Sequence, residues 1–140
     1  MNILVTGAGG QLGKALRQIS ELSGHRCLFT DVRPEGEVVA LDITDGNAVA
    51  RMLDEYDIDI VVNCAAYTDV ERAETDVENA RRINAFAAGV VAGEVARKNI
   101  SLIHVSTDYV FDGQSNKPYD ENAVPGPLSV YGCTKLEGES

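Results

Sequence analysis

Thr6-Gly7-Ala8-Gly9-Gly10-Gln11-Leu12-Gly13 joins the apolar run Ile3–Thr6 to the amphipathic stretch Gln11–Leu22, so it reads as a turn from a strand into a helix. Its glycines at 7, 10 and 13 are spaced G-x-x-G-x-x-G. A turn this tight needs positive φ, a pyrophosphate must reach the backbone with no Cβ in the way, and the helix must pack closely on the strand. The helix amino end, around Gln11, Leu12 and Gly13, then offers free N–H groups to an anion. The pattern with its flanking strand and helix predicts a dinucleotide site.

Asp31 ends the next apolar run, Cys27–Thr30. A carboxylate there accepts hydrogen bonds from the adenosine ribose and disfavours a 2′-phosphate. Arg33 close by is either a solvated loop charge or the attractor of that phosphate. The cofactor is therefore NAD(H) or NADP(H), with a lean to NAD(H). Asp42-Ile43 either reaches the adenine edge or belongs to a helix cap, and Asp45 is an equal candidate for that cap.

Further apolar runs follow at Glu37–Leu41, Ile58–Asn63 and Ser101–Ser106, and Asp45–Tyr56 and Glu78–Lys98 carry apolar residues at helical spacing. The runs read as strands buried on both faces. Strict alternation with right-handed crossovers predicts an α/β fold, a doubly wound parallel (Rossmann-type) sheet of about five strands in the order 3-2-1-4-5, with its ligand crevice between strands 1 and 4. A breaker-rich loop runs from Asp112 to Pro127, and a last helix begins near Ser129.

One domain's worth of residues, 44% hydrophobic and 24% charged, excludes a disordered or fibrous chain. The balance of 12 Lys+Arg against 22 Asp+Glu, a net charge of −10, argues against nucleic-acid and membrane-surface partners. Three widely spaced cysteines, Cys27, Cys64 and Cys133, suit neither a zinc site nor a disulfide framework and fit a reducing cytoplasm. Cys27 and Cys64 read as small buried hydrophobes. The acidic residues Asp69, Glu71, Glu74, Asp76 and Glu78 read as complements to a helix dipole, and no metal site is expected. His25 reads as a loop residue and His104 as a packed strand residue.

Tyr131 and Lys135 stand at i and i+4, on one face of the terminal helix. An ammonium beside a phenol favours the phenolate, which suits a general acid/base. With the glycine turn, Asn63-Cys64-Ala65-Ala66 and Ser106-Thr107-Asp108-Tyr109-Val110-Phe111, this pair resembles the extended short-chain dehydrogenase/reductase superfamily. Within it, the chain resembles the dTDP-4-dehydrorhamnose reductase family from Met1 to Ser140. The resemblance implies that Tyr131 donates a proton to a C4 keto oxygen and that Lys135 tunes Tyr131 and holds the nicotinamide ribose. It implies that Thr107 bonds the reacting oxygen, that Asp108 contacts the sugar, and that Ala65 and Ala66 line the cofactor. Ser106 touches the cofactor or simply ends its strand. Asn84 matches a proton-relay asparagine, or else is an amide bonded to nearby backbone.

The implied substrate is a dTDP-deoxysugar, with a homodimer left open for the full-length protein. A sugar epimerase or dehydratase on the same scaffold, or a non-catalytic dinucleotide-binding regulatory module, are the alternatives. The order of motifs leads us to expect residues 1–140 to be the dinucleotide-binding part of a longer enzyme whose substrate-binding domain lies beyond them. On that expectation the terminal helix frays, Tyr131 and Lys135 are poorly positioned, and the chain is poorly active alone.

Overall fold

The computed structural model describes residues 1–140. Five strands form one parallel sheet: β1 (Asn2–Thr6), β2 (Arg26–Asp31), β3 (Val39–Ala40), β4 (Ile60–Asn63) and β5 (Ser101–His104). Their order, β3-β2-β1-β4-β5, is the doubly wound order that the alternation predicts. Helices α1 (Gln11–Ser20), α2 (Gly46–Glu55), α3 (Val70–Ala73), α4 (Val77–Arg81), α5 (Ala87–Arg97) and α6 (Val130–Glu139) connect or follow them. Leu4 and Val61 of the central strands bury against Val49 and Leu53 of α2 and Val91 and Val95 of α5, which makes the main core. No helix is long and apolar enough to cross a membrane.

Three expectations are corrected. The run Glu37–Leu41 contributes only Val39–Ala40 to the sheet, because β3 pairs with β2 at Thr30 and Asp31 alone. β5 is not covered on both faces: α1 lies against β2 and α5 against β5, and Ile103 is left 54% exposed. The stretch Glu78–Lys98 is not one regular helix, since a π-helical turn at Arg82–Phe86 separates α4 from α5. A π turn inserts extra residues into a helix and often marks a functional place. Here it aims Asn84 inward, 1% exposed.

The terminal helix does not fray, contrary to expectation. Ser129 caps α6 by accepting from the Gly132 N–H at 3.0 Å, Glu74 Oε1 accepts from the Val130 N–H at 2.8 Å, and Arg81 pairs with Glu137 at 2.8 Å. Gly138 lies against the Asn84 carbonyl, where a Cβ would overlap it. Tertiary contacts along the whole length of α6 thus replace the stability that a short isolated helix lacks. Tyr131, Thr134 and Lys135 are buried as a result.

Candidate functional site

A cleft of about 1000 Å³ opens at the carboxyl ends of the central strands. The glycine turn forms one wall. Gly7 has φ +68°, and a Cβ there would stand 2.6 Å from the Ala65 nitrogen. The turn can therefore rest directly on the segment after β4. Gly10 precedes α1 with extended backbone and supplies no side-chain cap, unlike Asp45, Asp69 and Ser129 at the starts of α2, α3 and α6. Gln11, Leu12 and Gly13 form the first turn of α1 and line the cleft. Orphan N–H groups of an uncapped first turn suit a phosphate, so this wall fits a dinucleotide.

Asp31 ties the far end of that wall. Its Oδ2 accepts from the Gly9 N–H at 2.9 Å and its Oδ1 from the Arg33 N–H at 3.0 Å. Asp42 and Ile43 also line the cleft. Asp45 is the cap of α2, accepting from the Ala48 N–H at 3.1 Å, so Asp42 is released from that role. Asp42 Oδ1 instead accepts from the Thr44 N–H and hydroxyl at 2.9 and 2.7 Å, which holds its carboxyl below the usual range.

Ala65 and Ala66 line the cleft, and α6 adds Tyr131 and Lys135 to the same lining. Lys135 is 1% exposed, and its Nζ donates to the Val105 carbonyl at 2.6 Å. Burial pushes the ammonium below its ordinary value, with Glu139 opposing that shift. The Tyr131 ring meets Tyr109 edge-on with centroids 5.5 Å apart. Every residue that sequence assigned to the cofactor thus lines one cleft.

Thr107 and Asp108 are not among its lining residues. Thr107 caps a 3-10 turn at Asp108–Val110, accepting from the Tyr109 N–H at 3.3 Å and donating to Asp108 Oδ1 at 3.3 Å, while Asp108 is exposed. Asn84 is an amide clamp: its Oδ1 accepts from the Tyr67 N–H at 2.8 Å, and its Nδ2 donates to the Tyr67 carbonyl and to Thr134 Oγ1, each at 3.1 Å. Asn84→Ala should cost about 2–3 kcal/mol, because it removes the partner of two part-buried Tyr67 backbone groups and leaves a void where a buried side chain stood. A urea unfolding titration that showed no loss would contradict that clamp.

Sequence reasoning missed Cys64, Arg82 and the Val105 carbonyl, and left Ser106 open. Cys64 faces the cleft just past β4 and is only half-buried, with burial pushing its thiol up, so it is not a core hydrophobe. Cys27 is also only half-buried. Arg82, exposed on the π turn, lines the cleft and adds to the forces holding Asp42 ionised. The Val105 carbonyl that holds Lys135 is a backbone group, and no side-chain pattern announces it. Ser106 lines the cleft while its hydroxyl hydrogen-bonds Glu139. Asp69 caps α3, and Asp76 accepts from the Tyr67 hydroxyl and from Asn79, which gives two of the acidic residues structural work.

The family described as RmlD substrate binding domain matches residues 1–140. A probable low-salt glycan biosynthesis reductase, Agl14, of Haloferax volcanii is 41% identical over 99% of this chain and 48% of its own length. The β subunit of methionine adenosyltransferase 2 from Pongo abelii is 39% identical over 98% of the chain and 41% of its own. A crystal structure of dTDP-4-dehydrorhamnose reductase from Bacillus anthracis, in complex with NADP, superposes with a TM-score of 0.89 at 36% identity, covering 99% of this chain and 47% of that one. The chain spans about half the length of the curated relatives it matches.

Proposed function

Because the chain belongs to the RmlD substrate-binding-domain family, we propose that it is the dinucleotide-holding part of an NAD(P)H-dependent reductase acting on the 4-keto group of a dTDP-deoxysugar. The reaction is dTDP-4-dehydrorhamnose to dTDP-L-rhamnose. One observation carries the reading: the uncapped amino end of α1, the Asp31 carboxylate and the buried Tyr131–Lys135 pair share a single cleft. An anion seat, a ribose acceptor and a proton donor at one end are the parts that such a reductase needs.

Gln11, Leu12 and Gly13 would hold the pyrophosphate, Asp31 the adenosine ribose, Asp42-Ile43 the adenine, and Ala65-Ala66 the underside of the cofactor. The dinucleotide, when bound, supplies the hydride that reduces C4. Tyr131 gives its phenolic proton to the C4 oxygen. Lys135, held by the Val105 carbonyl, keeps a positive charge near that phenol and reaches the nicotinamide ribose. Thr107 and Asp108, which do not line the cleft, would contact the sugar. Both Asp31 oxygens accept a backbone N–H and keep further lone pairs, so Asp31 serves NADH directly, while Lys14 and Arg33 in the same cleft offer charge to the phosphate of NADPH.

Fluorescence titration of residues 1–140 with NADH and NADPH should give saturable binding and rank the two. The 140 residues alone should turn over dTDP-4-dehydro-6-deoxy-L-mannose slowly, and the full-length protein should consume NAD(P)H with it. Intact cofactor binding without turnover in the full-length protein would sink the reductase reading. Capture of a methionine adenosyltransferase catalytic subunit would then favour a regulatory module, the reading that the 39% identity to its β subunit supports.

A further inference from the structure

The row of residues at the carboxyl ends of β1, β4 and β5 is polar. Thr6, Asn63 and His104 are neighbours in register, and their side chains form a relay. Thr6 Oγ1 lies 2.6 Å from Asn63 Oδ1, and Asn63 Nδ2 lies 3.1 Å from His104 Nδ1. The short separation is that of O–H···O and too short for a typical N–H···O, so the amide oxygen faces Thr6 and the amide nitrogen faces the ring. Asn63 Nδ2 therefore donates, His104 Nδ1 accepts, and the ring proton sits on Nε2. That atom is buried and has no partner within the chain. Thr6 and Asn63 are 2% and 1% exposed, so solvent does not compete for the bond between them, while the contact to the half-buried His104 ring is part-buried.

The relay ends beside the groups that hold Lys135. Asn63 also anchors the residue after His104 through its backbone, accepting from the Val105 N–H at 3.3 Å, and the Val105 carbonyl accepts from Lys135 Nζ at 2.6 Å. We propose that His104 is a positioning residue for Lys135: the Thr6–Asn63 relay holds it as the neutral imidazole with its proton on Nε2, and protonation of Nδ1 breaks the relay and loosens the strand end whose Val105 carbonyl orients the Lys135 ammonium.

The charges around the ring agree with the geometry. Burial disfavours the imidazolium and Lys135 repels it, so its proton affinity lies below the ordinary value of 6.5, with Glu139 opposing. From α6 the cavity beside His104 receives Glu137 and Glu139, from the π turn Ala85, and from α5 Ala88, Gly89 and Ala92, the last four not titratable. An unfolded chain therefore takes up this proton before the folded one does. Stability falls as pH drops through 6.5 and levels off below the folded value. Lys135 and His104 are linked reciprocally: whatever fixes the ammonium keeps the ring neutral.

The catalytic consequence rests on the reductase reading, but the relay does not, and the experiment separates them. Nitrogen NMR of the imidazole in residues 1–140 should show the Nε2–H tautomer at neutral pH. The Lys135 Cε signal should shift in step with the His104 titration. In His104→Asn the new amide oxygen occupies the place of Nδ1, accepts from Asn63 and does not titrate, so the Lys135 step should vanish while its neutral-pH position is kept. NADH affinity should weaken on the order of fivefold across that step in the wild type and stay level in His104→Asn. An Nδ1–H tautomer, or a Lys135 signal indifferent to the wild-type His104 titration, would overturn the proposal even if the variant failed to fold. Absence of dinucleotide binding at every pH would overturn the proposed function instead, while the tautomer and the Lys135 signal still decide this one.

Discussion

Gly7→Ala should abolish dinucleotide binding and destabilise the chain by about 2–5 kcal/mol, the sum of a left-handed backbone penalty of about 1–2 and an overlap cost of about 1–3. The first part follows from φ +68°. The second follows from a Cβ that would sit 2.6 Å from the Ala65 nitrogen and 2.7 Å from its Cα, both main-chain atoms with no rotamer to yield. Relieving the overlap means pushing the turn away from the Cys64–Ala66 segment, which misplaces the amino end of α1. Gly24 is the internal control. It has φ +66° and nothing within 4 Å of where an alanine methyl would stand, so Gly24→Ala should cost only the backbone part, about 1–2 kcal/mol, and leave binding intact. Thermal unfolding with NADH titration checks both. Equal losses in the two variants would mean that the close approach to Ala65 carries no energy.

Tyr131→Phe should lower turnover in the full-length protein by about 10²–10⁴-fold, the usual contribution of a positioned proton donor. The ring contact with Tyr109 and the backbone bond from Thr134 Oγ1 to the Tyr131 carbonyl both survive the change. Stability should therefore move by less than about 1 kcal/mol, as is typical when one hydroxyl is removed. Dinucleotide affinity should stay near that of the wild type, because the turn, Asp31 and Lys135 are untouched. The diagnostic pattern is a fall in kcat with the cofactor Kd preserved. A fall in affinity of similar size would instead make the Tyr131 hydroxyl a cofactor-binding group rather than a proton donor.

The sheet and the cofactor wall were legible because each rests on local periodicity. Short apolar runs alternating with amphipathic stretches leave few connections that obey right-handed crossovers, which is why the order β3-β2-β1-β4-β5 followed without any contact being known. Gly7, Gly10 and Gly13 announce themselves because only glycine tolerates that turn and approach. Asp31 and Tyr131–Lys135 were found by spacing from recognisable elements. The cap of α2 was left between Asp42 and Asp45, because both stand within one turn of the helix start and only the bond to Ala48 separates them.

What did not show in one dimension is whatever depends on residues far apart in the chain. The π turn that aims Asn84 at Tyr67 and Thr134 interrupts a pattern that reads as unbroken helix, and its gain lies in partners 17 and 50 residues away. The firmness of α6 was misjudged for the same reason, since its own ten residues cannot sustain a helix while Glu74, Arg81 and Asn84 can hold it in place. His104 read as an ordinary packed strand residue, and its meaning came from register, which sets it beside Asn63 and Thr6. Local sequence determined which strands and helices alternate and where a helix begins without a side-chain cap, because backbone geometry and hydrophobic period are short-range. Tertiary structure alone decided which side chains share the cleft, which carbonyl holds the Lys135 ammonium and which side chains stand beside the His104 ring. Those are properties of atoms brought together across the sheet, and burial sets their charge.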